Sequence, residues 1–220
     1  TPDQTGTGDA NGPADPGPAT PPAQVDDGGA NHTDTAVPGV IVSGYSTAVP
    51  PRLVIKTRAR IRVPIQVDAT GPVTVQVRSS NAKVVTPSTK TLTAVPGKVA
   101  TLVLKAGTKP GKAAVTLTAG GKTLKLTIAV AKTVSRATSL TVSAPKTVRL
   151  SQPNTLYRIQ VKKISGTPAS PVATFTVDKK SKKFLSVSKA GVITPKKTGR
   201  ATIAVTADKT TKKITITIKP

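Results

Sequence analysis

The feature that most restricts this chain's fold is a motif that it states twice. Gly111-Lys112-Ala113-Ala114-Val115-Thr116-Leu117-Thr118-Ala119 returns as Gly199-Arg200-Ala201-Thr202-Ile203-Ala204-Val205-Thr206-Ala207. The offset is 88 residues (199 − 111) and runs without a gap to Val130 and Ile218. Each copy leads into a second alternating run, with Leu124, Leu126, Ile128 and Val130 in the first and Ile214, Ile216 and Ile218 in the second. Apolar side chains at every second position gather on one face of a strand and leave Thr and Lys on the other. Between the two strands of the first copy, Gly120-Gly121 supplies the positive φ that a two-residue hairpin needs. The spacing predicts two closing hairpins, about one small β-sandwich apart.

The rest of the chain follows the same pattern. From Pro51, short alternating runs recur between turn residues: 59–67, 73–77, 84–85, 92 and 100–104. Pro64 inside the first of these predicts an edge or bulged strand. A second set opens at Leu140-Thr141-Val142 and passes through Val148 and Leu150, then Leu156, Ile159 and Val161. It continues through Ala173, Phe175 and Val177, then Leu185 and Val187, and Val192-Ile193. No segment has helical periodicity. The expected fold class is all-β, with Ig-like sandwiches over 51–131 and 138–220, joined by a short polar connector and stacked end to end. Residues 1–50 are rich in Pro, Gly, Asp, Ala and Thr, bury too little apolar surface to offset their ordering entropy, and read as a disordered linker. Within it Val40-Ile41-Val42 and Tyr45 are candidates for an added edge strand.

Charge divides at the same place. Residues 1–51 hold six Asp and no Lys or Arg, whereas residues 52–220 hold all 33 Lys and Arg against Asp68, Asp178 and Asp208, a net of +30 (33 − 3). A body so basic attracts polyanions such as anionic polysaccharide or cell-wall polymer. The absence of Cys excludes disulfides and thiolate chemistry. The absence of Met leads to the expectation of a processed or excised piece, and no apolar run reaches the length of a membrane span.

The stretch from Val177-Asp178-Lys179-Lys180-Ser181 through Leu185-Ser186-Val187 and Gly191-Val192-Ile193 to Gly199-Arg200-Ala201-Thr202-Ile203 resembles the bacterial immunoglobulin-like domains of group 2, found in intimin- and invasin-type adhesins. Gly191, Gly199, Ala201 and Ile203 sit at matching spacings, while Val177 stands where that family has Trp and Ser181 where it has Asn. In the first repeat Val77-Arg78-Ser79-Ser80-Asn81 matches the Trp-Ser-Ser-Ser-Asn segment, again with Val in the Trp place. The resemblance implies a display, spacer or adhesion module without shared catalytic residues, secreted or on a bacterial cell surface, with further domains of a longer protein as neighbours.

Chemistry-bearing constellations are sparse. The three Asp of the body lie in separate segments and read as surface turn residues, so no carboxylate pair of the kind a glycosidase uses is in view. The one histidine, His32, falls in the linker and gives a Ser-His-Asp arrangement no oriented base. Ser80–Lys83 and Ser186–Lys189, with Lys197-Thr198-Gly199, echo serine β-lactamase motifs but lack Ser-Asp-Asn and a helix. Asp26-Asp27-Gly28 is too short to assemble calcium's oxygen ligands, and without Glu an isopeptide bond has no customary acid. The expectation is a chain that is not an enzyme, with no catalytic, metal or cofactor site.

The candidate binding residues are basic. Arg58, Arg60 and Arg62 alternate with Ala59, Ile61 and Val63, which predicts three guanidinium groups on one strand face. Lys179, Lys180, Lys182 and Lys183, with Lys196 and Lys197, gather around expected turns of the second sandwich. Both sets are candidates for polyanion binding. Equally, lysines along strand edges keep them from pairing with other chains. With Tyr45, Tyr157, Phe175 and Phe184 as the only aromatics and no recognition helix, sequence-specific nucleic-acid binding is not expected. The resulting expectation is a non-catalytic surface module with a basic exterior. Its alternative is an accessory region of a secreted enzyme whose catalytic domain lies elsewhere.

Overall fold

The computed structural model describes residues 39–152 and 156–220. The stretch 1–38, with Asp26, Asp27 and His32, lies outside the described residues.

The first sandwich is built from nine strands: β1 (Val42–Thr47), β2 (Arg52–Lys56), β3 (Arg60–Ala69), β4 (Val73–Ser79), β5 (Val85–Pro87), β6 (Thr91–Ala94), β7 (Ala100–Ala106), β8 (Gly111–Ala119) and β9 (Lys122–Ala131). They form a four-stranded sheet, β1-β3-β7-β5, and a five-stranded sheet, β2-β9-β8-β4-β6. Ile61, Val63, Ile65 and Val67 of β3 face Val115, Leu117, Leu126 and Ile128 of the closing hairpin in one core. The segment 1–50 thus contributes a strand to the body, through the Val40–Tyr45 patch rather than as linker throughout. Pro64 marks a change of partner, because β7 pairs with residues 60–65 of β3 and β1 with residues 65–69. Over its first half β3 is therefore an edge on one side, where proline's missing N–H is tolerated.

The second sandwich also has nine: β10 (Ser139–Ser143), β11 (Thr147–Arg149), β12 (Tyr157–Arg158), β13 (Gln160–Ser165), β14 (Thr174–Val177), β15 (Leu185–Val187), β16 (Val192–Pro195), β17 (Gly199–Ala207) and β18 (Thr210–Lys219). Their sheets are β10-β13, β11-β18-β17-β14 and β12-β16-β15. A separate core holds Leu140, Val148, Ile159, Leu185, Ile193, Ile203, Val205, Ile216 and Ile218. Among the described residues the only helical element is a 3-10 turn at Lys179–Ser181.

The repeat holds down to the register. Gly111 pairs with Val130 and Ala119 with Lys122, as Gly199 pairs with Ile218 and Ala207 with Thr210. Strands β8 and β17 alternate buried and half-buried residues in the same order. In both sandwiches the last strand also pairs in parallel with an early one, β9 with β2 and β18 with β11. The hairpin turns differ. Gly120 and Gly121 take φ of 51° and 70°, whereas the second turn puts Asp208 at φ 54°. That uncommon conformation for a non-glycine residue is held by the connector. The Asp208 Oδ2 accepts the Ala137 N–H at 3.1 Å, and the Thr210 hydroxyl donates to the Ala137 carbonyl at 2.8 Å.

One expected equivalence shifts. The matching of Val77 to Val177 does not survive the pairing register. Val77 lies opposite Leu117, and the residue opposite the equivalent Val205 is Phe175. A hydroxyl nevertheless serves the same role in both copies. Ser80 Oγ accepts the Ala114 N–H and Ser181 Oγ accepts the Thr202 N–H, each at 2.9 Å, and 202 is 114 displaced by 88. The backbone counterpart of Ser80 is Asp178, whose N–H donates to the Thr202 carbonyl as that of Ser80 does to Ala114, and the 3-10 turn adds three residues that bring the Ser181 hydroxyl to the same point, so sequence spacing across it misleads.

Candidate polyanion-binding surfaces and the contact between sandwiches

Beyond Ile65, β3 stops alternating: Gln66, Val67 and Asp68 are all buried. Ile65 and Val67 face their own core, so something else covers Gln66 and Asp68. That cover is the second sandwich. Gly44 lies directly opposite Asp68 in the β1–β3 register. Lacking a side chain, Gly44 leaves room for the Arg158 guanidinium, since a Cβ there would stand 3.3 Å from Nη1. Arg158 Nη2 is ion-paired with Asp68 Oδ2, and Nη1 donates to the Tyr45 carbonyl at 3.3 Å. Nearby, Ser188 Oγ donates to Gln66 Oε1 at 2.9 Å, and the Ala173 N–H to the Ala48 carbonyl at 2.8 Å. Val172 packs on the first core.

Asp68 therefore departs from the expectation that the body's acids are surface turn residues. It is a buried strand residue paired with a cation from the other sandwich. Burial pushes its carboxyl above the usual aspartate value, with the Arg158 charge pulling the other way. Its Oδ1, with Arg158 Nε and the hydroxyls of Ser46 and Thr47, is buried without a hydrogen-bond partner among the described residues. Such groups carry a desolvation cost, so the contact is polar and only partly satisfied. A cavity of about 200 Å³ adjoins it, lined by Tyr45, Thr47 and Leu126 on one side and Arg158, Ile159 and Val161 on the other.

The expected basic residues separate into two places. Arg60 and Arg62 are exposed on the outer face of the four-stranded sheet, opposite Lys105 and Val103. Arg58 does not join them on a strand. It occupies the turn before β3 with φ 62°, its N–H donated to the Gly107 carbonyl, so the alternation breaks there. In the second sandwich, the N–H groups of Lys196 and Lys197 both donate to the Phe184 carbonyl, at 2.8 and 3.2 Å. This joins them to the run Lys179, Lys180, Lys182 and Lys183 at one end of the sandwich. There Lys183 Nζ lies 5.0 Å from the centre of the Phe184 ring.

A third basic site joins residues outside both of these sets. Arg52, Lys112, Lys162 and Lys163 line a groove between the two sandwiches. Its signal was present in part, since Lys112 is a polar position in an alternating strand, whereas Arg52 precedes the unbroken apolar run Leu53-Val54-Ile55. What the sequence does not show is that the two sandwiches bring them beside Lys162 and Lys163.

Among the described residues there is no group of three or more His, Cys, Asp or Glu side chains placed to hold a metal ion, and no helix long and apolar enough to cross a membrane. No protein-family model matches the chain, and no curated protein matches it. Solved structures with some likeness include domains 5–6 of the S-layer protein SbsC, at 14% identity, a TM-score of 0.37, 82% of this chain and 100% of that one. The YadV chaperone covers 81% of this chain and 98% of its own at 10% identity and a TM-score of 0.33. WR4, a C. elegans MSP family member, covers 39% of this chain and 98% of its own at 11% identity, with the same TM-score.

Proposed function

We propose that this chain is a non-catalytic structural and adhesion module, secreted or displayed on a bacterial surface, whose basic exterior binds anionic cell-wall or surface polymers. In this reading its two sandwiches are relatives of the group 2 bacterial immunoglobulin-like domains and form one continuous spacer. The observation that carries the proposal is how the body's few acids are used. Asp68 is buried in an ion pair with Arg158, and Asp208 is committed to the Ala137 N–H. That leaves Asp178 as the one uncommitted side-chain carboxylate among the described residues, against 33 Lys and Arg. Residues 52–220 thus carry almost no counter-charge of their own, so the field of the body favours polyanions. A polyelectrolyte partner releases counterions as these cations bind, which makes the association steeply salt-dependent.

The test is retention on purified bacterial cell walls and on immobilised acidic polysaccharide across a salt series. The expected result is strong retention at low salt, with the logarithm of the binding constant falling linearly in the logarithm of salt concentration. No retention at low salt would leave the spacer role without the adhesive one.

A further inference from the structure

Accepting the polyanion-binding reading, we infer that the affinity is seated in the groove between the sandwiches. There Arg52, Lys112, Lys162 and Lys163 form a site for one strand of a linear anionic glycan, with sugar rings bearing carboxylates or joined by phosphodiesters.

Register explains how the four cations converge. On the outer face of the five-stranded sheet, Arg52 lies opposite Thr127 and Lys112 opposite Ala129, so the two flank β9 from either side. Neighbouring strands stand about 4.8 Å apart, which puts β2 and β8 roughly 10 Å from one another. Thr127 and Ala129 between them are short, so the centre of the face is low and the charges rise at its sides. The opposite wall comes from β13, where Lys162 and Lys163 are consecutive and in a regular strand would point to opposite faces. They do not, because β13 carries a bulge. Thr141 pairs with Lys163 and Val142 with Val161, leaving Lys162 as the extra residue. A bulge re-aims side chains, and here both lysines line the same groove.

The resulting space, about 780 Å³, is lined by those four cations, by Pro51, Leu53, Val54, Ala129 and Ile164, and by Thr127, with no carboxylate. A concave site with cationic walls and a small apolar floor suits a chain whose charges lie along its edges and whose C–H faces rest below. Sugar rings have such faces. Single-stranded nucleic acid is held by aromatic stacking platforms as well as charge, and no aromatic residue lines this groove. The site also needs both sandwiches, which gives the buried Asp68–Arg158 contact a purpose: it holds the two walls at a set separation.

The experiment compares two variants of the full chain that each lose four positive charges. One is R52Q/K112Q/K162Q/K163Q; the other is K179Q/K180Q/K182Q/K183Q at the far lysine cluster. All eight side chains are exposed, and circular dichroism checks that both variants keep the fold. The probes are polygalacturonate for carboxylates, a purified teichoic acid with sugar rings in its backbone for phosphodiesters, and single-stranded DNA of equal charge. Each surface charge contact is worth on the order of a factor of two, so the groove variant is expected to lose about tenfold or more in glycan affinity. The cluster variant should lose well under half of that on a logarithmic scale. Whichever of the two glycans shows the larger loss identifies the source chemistry. Equal losses in both variants would overturn the groove assignment while leaving polyanion binding intact. Failure of the unaltered chain to bind any probe would instead overturn the reading beneath it. DNA bound more tightly than either glycan would overturn the glycan assignment. Carbodiimide coupling to polygalacturonate gives a second readout, with Lys112, Lys162 and Lys163 expected as the principal attachment sites.

Discussion

Replacing Arg158 with Met tests whether a buried ion pair fastens the two sandwiches. The Asp68 side chain is 1% exposed and that of Arg158 24%, so the substitution strands a carboxylate that water cannot reach. Removing one partner of a buried pair costs about 3–5 kcal/mol. Two features place R158M near the lower figure. The guanidinium is already partly solvated, and the carboxyl can escape its charge by taking up a proton. Each pH unit below the folded-state pKa is worth about 1.4 kcal/mol of that escape. The unaltered protein shows the same sign more weakly. Because burial raises the Asp68 pKa, the folded state holds its proton more tightly than the unfolded chain does. Its contribution is therefore fully present below the ordinary aspartate value and is lost as pH rises through the raised one. Urea unfolding at pH 5 and pH 8, followed by tyrosine fluorescence, reads all of this, since Tyr45 sits at the contact and Tyr157 beside it. The R158M penalty should be about 3 kcal/mol at pH 8 and markedly smaller at pH 5. D68N should cost less than R158M at pH 8 and remove the group's pH slope, and D68N/R158M should recover part of the R158M loss. A penalty equal at both pH values, or a double variant no more stable than R158M, would refute the electrostatic argument.

Two further expectations follow from the repeat. Ile128 and Ile216 are equivalent by the 88-residue offset and both are fully buried, so I128A and I216A should each cost about 2–5 kcal/mol, and chemical denaturation should find the two losses similar. Ser181 is buried and Ser80 exposed, although their hydroxyls accept equivalent N–H groups. S181A should therefore cost about 1–3 kcal/mol, because it leaves the Thr202 N–H without its partner. S80A, where water can substitute, should cost less than half as much in the same measurement.

What was legible in the sequence was whatever depends on periodicity. The alternation in β8 and β9 named Ala113, Val115, Leu117, Leu126 and Ile128 as core, and all are buried. Gly120-Gly121 named the turn, because positive φ at two consecutive residues leaves few other choices. What escaped was whatever depends on a second surface. Nothing in Ile65-Gln66-Val67-Asp68 distinguishes a solvated outer face from one covered by another sandwich, since both alternate in the same way. The polar pair Gln66 and Asp68 gains its meaning only from Ser188 and Arg158, 122 and 90 residues further along. Irregular backbone hid the rest. The left-handed turn at Arg58 broke an alternation that residue types alone continue, and the 3-10 turn at Lys179–Ser181 moved the register by which Val177 had been matched to Val77.

The same contrast bears on where a function evolves in a duplicated fold. The hairpins kept register, burial order and the hydroxyl that anchors them, because a one-residue slip would turn every core side chain outward. The contact between the copies is under no such constraint, since each sandwich closes its own core. Residues at the contact do not repeat. Gln66 and Asp68 of the first sandwich meet Ser188 and Arg158 of the second, so the contact pairs unlike residues. Lys162 lines the groove through a bulge in β13, whereas the only register shift in the pairing of β3 lies on β1, at Val42–Gly44. An asymmetric seam between two near-copies creates a surface that neither copy has alone. That is where cations from both halves come together, and where the proposed binding would answer most to substitution while the cores are disturbed least.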